Sequence, residues 1–338
     1  MMDLETIRAL PKAELHVHLD TCVRVETARE LARKYEIDLP EPLEIFMIAP
    51  PRCADLADFL RRVDPQLAVL QTEEALERVA YELVESWAHD GVVYGEVRYA
   101  PQLCTREGLS MDAVVEAVAR GLKAGAADFG VTVGQILCCL RHEPPDLSEE
   151  VARLAIRHRD RGETLVIGLD LAADEARYPG APHRKAFELA READLPRTVH
   201  AGEAAGPESV REALDVLGAM RIGHGVRTVE DPDLLARVHR EGVLLEMCPT
   251  SNVQTRAAES LEAHPIDYCY RLGVKVSVST DSRTITPTTV SREYALLSRQ
   301  FGWGVEHVRT TTRYALESGF GDAEARRALL DRVMQVVV

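Results

Sequence analysis

Apolar and polar residues alternate with a period of two in eight short segments bounded by turn-forming residues. These are Ala13 to Leu19, Val92 to Arg98, Val131 to Leu140, Leu165 to Leu171, Thr198 to His200, Arg221 to His224, Val243 to Cys248 and Lys275 to Thr280. The period sends successive side chains to opposite faces and predicts strands. Between them, Met111 to Phe129, Ser148 to Arg161, His183 to Ala193, Glu208 to Leu217, Pro232 to Arg240 and Ile266 to Leu272 are amphipathic or rich in Ala, Leu and Arg, and predict helices. Strict strand and helix alternation predicts an α/β fold with a parallel sheet, and eight repeats predict closure into a (β/α)₈ TIM barrel.

Two segments exceed a minimal barrel. Residues 20–91 are too long for a loop and predict a helical insertion over the barrel mouth, with helices over Asp55 to Leu70 and Glu73 to His89. From Thr288 onward the pattern predicts extra C-terminal helices (Arg292 to Gln300, Val305 to Ser318, Asp322 to Met334) covering one side or the base. Without a fixed-period repeat, a low-complexity tract or a Pro/Gly linker, residues 1–338 read as one domain.

Composition removes several function classes. Hydrophobic residues at 46% and charged residues at 28% fit a globular protein and argue against disorder or a disulfide scaffold. A net charge of −15 repels phosphate backbones and anionic lipid, so neither nucleic acid nor a membrane surface is an expected partner. Seven cysteines, an odd number without a C-x-x-C pair, read as reduced thiols in a cytoplasmic compartment. No export signal and no run of 18 apolar residues is present. None of these patterns encodes an oligomeric state.

The polar residues gather where a barrel builds its sites. His16 and His18 are two apart on the first strand and share a face, while Leu15, Val17 and Leu19 take the other. His200 ends the fifth strand, His224 the sixth and Asp281 the eighth, all at the rim where barrel active sites form. Three histidines and a carboxylate supply an N₃O set suited to one zinc ion that keeps a water, whose pKa the metal lowers to roughly 7. Glu203, among small uncharged neighbours three residues after His200, suits a general acid. His224 reads either as a fourth imidazole ligand or as a base orienting hydroxide. Binuclear relatives of this architecture bridge two metals with a lysine on the fourth strand; here Gly168-Leu169-Asp170-Leu171 stands at that place, which implies a single metal. His239-Arg240-Glu241 matches half of the H-x-E signature of polynucleotide deaminases, but the required P-C-x-x-C is missing.

The ordered segments PKAELHVHLD (Pro11 to Asp20), DLADFL (Asp55 to Leu60), GVVYGEVRYAP (Gly91 to Pro101), ILCCLRH (Ile136 to His142), VIGLDLAADE (Val166 to Glu175), HAGE (His200 to Glu203), IGHG (Ile222 to Gly225), CPTSN (Cys248 to Asn252) and STD (Ser279 to Asp281) resemble the adenosine deaminase family of the amidohydrolase superfamily over nearly the whole chain. The resemblance implies that His16, His18, His200 and Asp281 hold zinc, that Glu203 protonates purine N1, and that His224 positions the attacking hydroxide. It further implies that Asp20 and His18 lie near the ribose 5′ end, that the Ala173 N–H faces purine N3, and that Leu56, Phe59 and Leu60 form an apolar gate. The implied activity is hydrolytic deamination of a small-molecule 6-aminopurine nucleoside, adenosine or 2′-deoxyadenosine.

The chain departs from the family pattern at Thr21 and Cys22, at Ala173 where Gly is usual, and at Ser282 where Asp or Asn is usual. Ser282 offers N7 a hydroxyl in place of a carboxyl. These departures keep open 6-aminodeoxyfutalosine, a menaquinone precursor with a benzoate-bearing 5′ chain, whose carboxylate would pair with Arg24, Arg52, Arg61 or Arg62. A catalytically inactive nucleoside-binding relative would have lost a ligand or the acid, and neither is lost. A lactone or phosphotriester hydrolase is disfavoured by the missing bridging lysine.

Overall fold

In the computed structural model, which describes residues 2–335, all eight strand candidates are strands. They are β1 (Lys12–His18), β2 (Val92–Tyr99), β3 (Thr132–Leu140), β4 (Val166–Ala172), β5 (Thr198–Ala201), β6 (Arg221–His224), β7 (Leu244–Met247) and β8 (Val276–Val278). Neighbours pair in parallel in two four-stranded runs, β1 to β4 and β5 to β8. Single bridges sew the runs together, Leu169 with Arg197 at one seam and Val17 with Asp281 at the other. At the second seam Asp281 N–H donates to the His16 carbonyl at 2.9 Å and His18 N–H to the Asp281 carbonyl at 2.8 Å. Barrel closure thus brings the ends of the first and last strands side by side.

The helices between strands stop and start where local chemistry directs. Met111–Phe129 begins with the Ser110 side chain accepting from the Ala113 N–H and ends at Gly130, whose φ is 71°. Gly121 lets this helix approach Glu73–His89, since a Cβ there would lie 2.1 Å from the Glu77 carbonyl oxygen. The insertion differs from expectation in one respect. Asp55 to Leu70 is not one helix but Leu56–Leu60, a 3₁₀ turn Arg61–Val63, and Asp64–Val69. Pro65 explains the break, because it has no N–H to return to the carbonyl four residues earlier and its ring crowds that turn. The tail helices Val305–Ser318 and Ala323–Gln335 pack Ala315, Leu316, Leu329 and Val333 on Ala13, Leu15, Tyr94 and Leu244. They therefore cover the barrel base, opposite the rim. Among the described residues no helix is long and apolar enough to cross a membrane.

The barrel interior is charged. Arg98 bridges Asp170 (3.0 Å) and Glu246 (2.7 Å), and Arg221 bridges Glu246 (2.7 Å) and Glu96 (2.6 Å), all fully or almost fully buried. Charges this deep persist only when paired and hydrogen-bonded. The network lies directly behind the histidines of the rim.

Candidate active site

At the strand ends, His224, Asp281 and Ala173 take positive φ values of 61°, 65° and 80°. Left-handed backbone costs a non-glycine residue about 1–2 kcal/mol, and such strain is tolerated where surrounding structure fixes a side chain. One nitrogen each from His16, His200 and His224 and one Asp281 oxygen lie within 4.8 Å of one another. His18 joins them: its Nε2 is 3.1 Å from His200 Nε2 and 3.5 Å from Asp281 Oδ1, while His16 Nε2 is 3.4 Å from the same oxygen. Ligand atoms about 2.0–2.1 Å from a tetrahedral zinc stand roughly 3.3 Å apart. The three separations, 3.1, 3.5 and 3.4 Å, are of the size expected for side chains gathered around one such ion.

The outer ring atoms decide which nitrogens face inward. His16 Nδ1 meets Glu246 at 2.9 Å and His200 Nδ1 meets Asp170 at 3.0 Å. Both carboxylates are held well below their ordinary pKa: burial opposes their charge, and it is outweighed for Glu246 by Arg98 and Arg221 and for Asp170 by His200 and Arg98. Ionised, each fixes the imidazole proton on Nδ1 and leaves an Nε2 lone pair for the centre. Burial keeps His18 and His200 neutral by lowering their pKa values. Ser251 donates to Asp281 Oδ2 at 2.6 Å, which leaves Oδ1 toward the imidazoles. His16 Nε2 is buried without a hydrogen-bond partner among the described residues. A divalent cation with nitrogen and oxygen ligands satisfies that atom and the facing lone pairs together.

Glu203 is the opposite kind of carboxyl. Burial, reinforced by the charges of Asp281 and Glu175, pushes its pKa well above the carboxylate range, against a smaller effect of the Thr255 hydroxyl. Its surroundings therefore favour the protonated form. Its Oε2 is 3.4 Å from His224 Nε2, and its Oε1 is buried and unpartnered among the described residues. The loop that holds it is clamped by Glu175, which accepts from the backbone N–H groups of Gly202 (2.7 Å), Glu203 (2.9 Å), Ala204 (2.6 Å) and Ala205 (3.1 Å). Gly202 turns at φ 70°, and a Cβ there would come within 2.7 Å of Val210.

A cavity of about 270 Å³ opens over these groups, near the small end of the ~300–1,000 Å³ usual for small-molecule sites. His18, Asp20, Leu56, Phe59, Leu60, Ala173, His200, Glu203, His224, Asp281 and Ser282 all line it. His16 is fully buried and does not reach its surface. Burial pushes Asp20 up to about 7. Of the departures near Asp20, Thr21 lines the cavity, but Cys22 turns into the apolar core. Arg24, Arg52, Arg61 and Arg62 do not line it: Arg24 pairs across to Glu85 of the helix Glu73–His89 at 2.6 Å, and Arg62 with Asp58 one turn away at 3.1 Å. The arginine in the cavity wall is Arg106. Sequence reasoning also missed Asp170, Glu246, Glu175 and Asn252. For the first two the signal was available, since an ionisable residue inside an apolar strand requires a buried partner.

A parallel (β/α)₈ barrel with four imidazoles, a carboxylate and a second, buried acid at its rim belongs to the metal-dependent hydrolytic deaminases of amidohydrolase type. The family model described as adenosine deaminase matches residues 11–336. An adenosine deaminase of Enterococcus faecalis is 39% identical over 337 residues, covering 99% of each chain. Among solved structures, an adenine deaminase of Arthrobacter aurescens superposes with a TM-score of 0.89 at 31% identity, covering 97% of this chain and 99% of that one. The ADAL protein of arabidopsis complexed with IMP superposes with a TM-score of 0.87 at 26% identity, covering 98% of each. The chain belongs to the adenosine deaminase family.

Proposed function

We propose that this enzyme deaminates adenosine or 2′-deoxyadenosine hydrolytically, giving the 6-oxo nucleoside and ammonia, with one zinc per chain held by His16, His18, His200 and Asp281. The carrying observation is the juxtaposition of the buried Glu203, whose surroundings favour the protonated acid, with the N₃O cluster in one cavity of nucleoside scale. When bound, zinc supplies hydroxide at neutral pH by lowering the pKa of water to about 7. Glu203 gives its proton to purine N1, so electron density withdrawn from C6 has somewhere to go as that carbon becomes tetrahedral. His224, with Nε2 3.4 Å from Glu203, holds the attacking oxygen on the C6 side. As the tetrahedral carbon collapses, the proton of the added hydroxyl passes to the amino nitrogen, which leaves as ammonia; N1 keeps the proton from Glu203 in the 6-oxo product, and Glu203 is reprotonated by the proton that water gives up on becoming hydroxide. Ala173 N–H and the Ser282 hydroxyl serve the purine N3 and N7 edges, Asp20 the ribose side, and Leu56, Phe59 and Leu60 close over the base. The seven cysteines, all free and buried, support a reducing, cytoplasmic compartment.

One observation favours a second substrate reading. Arg106 lines the cavity, is exposed, and forms no ion pair among the described residues. A free guanidinium at a cavity wall suits a 5′ substituent carrying carboxylate or phosphate, as 6-aminodeoxyfutalosine does. The test is kcat/KM measured side by side for adenosine, 2′-deoxyadenosine, adenine, adenosine 5′-monophosphate and 6-aminodeoxyfutalosine, with metal content determined on the same preparation. Adenosine turnover with one zinc per chain is the expected result. Preference for a 5′-anionic substrate that is lost in Arg106→Ala transfers the assignment to the second reading. No turnover of any 6-aminopurine by metal-loaded protein overturns both.

A further inference from the structure

We infer that His264 and Asn252 form a one-way hydrogen-bond relay that fixes the proton of His224 on Nε2, so that His224 offers the reaction centre a donor and not a lone pair. The direction of every link is forced. The Ile266 backbone N–H lies 3.2 Å from His264 Nδ1, and a backbone N–H can only donate, so that Nδ1 carries a lone pair. Burial lowers the His264 pKa to about 3, which leaves the ring neutral with its one proton on Nε2. That N–H reaches Asn252 Oδ1 at 3.1 Å.

The same oxygen accepts from the Cys248 backbone N–H at 3.1 Å. Two donors converging on one atom identify it as the carbonyl end of the amide, a choice that only the surrounding network can make. The amide nitrogen is then the atom 2.9 Å from His224 Nδ1, and it donates there. With Nδ1 occupied as an acceptor, the proton of neutral His224 sits on Nε2, facing Glu203 Oε2 at 3.4 Å. Turning the Asn252 amide over would set its NH₂ against two donors and lose both hydrogen bonds.

Two consequences follow. One ring nitrogen of His224 lies within 4.8 Å of the ligand atoms of His16, His200 and Asp281, yet Nε2 carries the proton and the Nδ1 lone pair is taken by the Asn252 amide, so neither is open to a cation and the ligand set narrows to His16, His18, His200 and Asp281. As a donor, His224 stabilises negative charge developing on the attacking oxygen and does not take a proton from it. Asn252 and His264 touch neither substrate nor metal and are positioning residues.

The experiment is ¹⁵N NMR of the zinc-loaded full chain labelled at its 11 histidines, with His224 assigned by its loss in His224→Gln. Expected in the wild type is a His224 ring protonated at Nε2 and bare at Nδ1. Asn252→Asp presents an acceptor to Nδ1 and should move the proton there, with kcat lower by on the order of 10², KM little changed and zinc retained. His264→Gln keeps an N–H toward Asn252 and should preserve the wild-type tautomer, whereas His264→Leu should give a mixture. A wild-type ring protonated at Nδ1 overturns the relay and returns His224 to the ligand set, and so does an unmoved proton in Asn252→Asp. The wild-type spectrum, once His224 is assigned, decides even if Asn252→Asp or a His264 variant fails to fold. Only the kcat arm rests on the deaminase reading, so its failure is separable from failure of the relay.

Discussion

The two walls of the cavity are held by different physics. On the barrel side each reacting group has directional anchors: His16 on Glu246, His200 on Asp170, Asp281 on Ser251, and the Glu203 loop on four N–H bonds to Glu175. On the gate side Leu56 and Phe59 ride a five-residue helix capped by Asp55 and pack on Ala49, Cys53 and Ile285. Hydrogen bonds of 2.6–3.2 Å fix atoms to fractions of an ångström, as chemistry requires. Apolar packing is non-directional and excludes water while tolerating movement. The barrel wall is therefore where rate is set, and the gate wall is where binding is tuned.

The severest test of that division is at the metal. Asp281→Ala should abolish both bound zinc, by elemental analysis, and turnover, because it removes one of four ligands and leaves three imidazoles without their carboxylate. Retention of zinc would break the assignment of the barrel wall.

Next is Glu203→Gln, which should lower kcat by about 10² to 10⁴ while zinc and substrate binding persist. The same variant carries a stability signature. A carboxyl whose folded pKa is raised binds more protons folded than unfolded, so its contribution declines as pH rises above the unfolded value and the deficit is complete above the folded pKa. Gln does not ionise. Glu203→Gln should therefore melt higher than wild type at pH 8 and not at pH 4; equal melting points at both would mean that Glu203 is not held protonated.

Glu246→Gln probes the anchors behind the ligands. It should weaken zinc affinity 10- to 100-fold in a competition titration, the usual cost of losing a carboxylate behind a ligating imidazole. It also strips charge from between Arg98 and Arg221, and leaving buried partners uncompensated costs about 3–5 kcal/mol. Normal affinity with normal stability would show that the inner charges are not what holds the rim.

The same contrast explains what the sequence disclosed. His16, His18, His200, His224 and Asp281 were legible because strand period and strand ends fix where a side chain points. Glu203 was legible through its small neighbours. Glu246 and Asp170 were visible as charges in apolar strands, but their partners, Arg98 and Arg221, come from other strands and only closure of the barrel pairs them. Asn252 carries no periodic signal at all; its role exists only through a contact to Cys248 in its own segment and two contacts, to His224 and His264, from separate ones. The gate was the least legible, because Pro65 split an otherwise continuous amphipathic pattern, and the arginine facing the cavity proved to be Arg106, from a loop beyond the insertion.

The smallest effect belongs to the gate. Phe59 is 2% exposed and packs in a small satellite cluster, not in the main core. Phe59→Leu keeps an apolar side chain of similar reach, and such swaps usually cost less than about 1.5 kcal/mol, so the chain should fold normally. The lost ring contact acts equally on bound substrate and transition state, since no charge develops against it. That is uniform binding, which raises KM and leaves kcat alone. At about 25 cal/mol per Å² the loss of a few tens of Å² of contact corresponds to roughly a two- to fivefold rise in KM. Steady-state kinetics with adenosine checks this directly. A fall in kcat with unchanged KM would mean that the gate positions the reacting atoms after all, and the division between the two walls would fail at its weakest point.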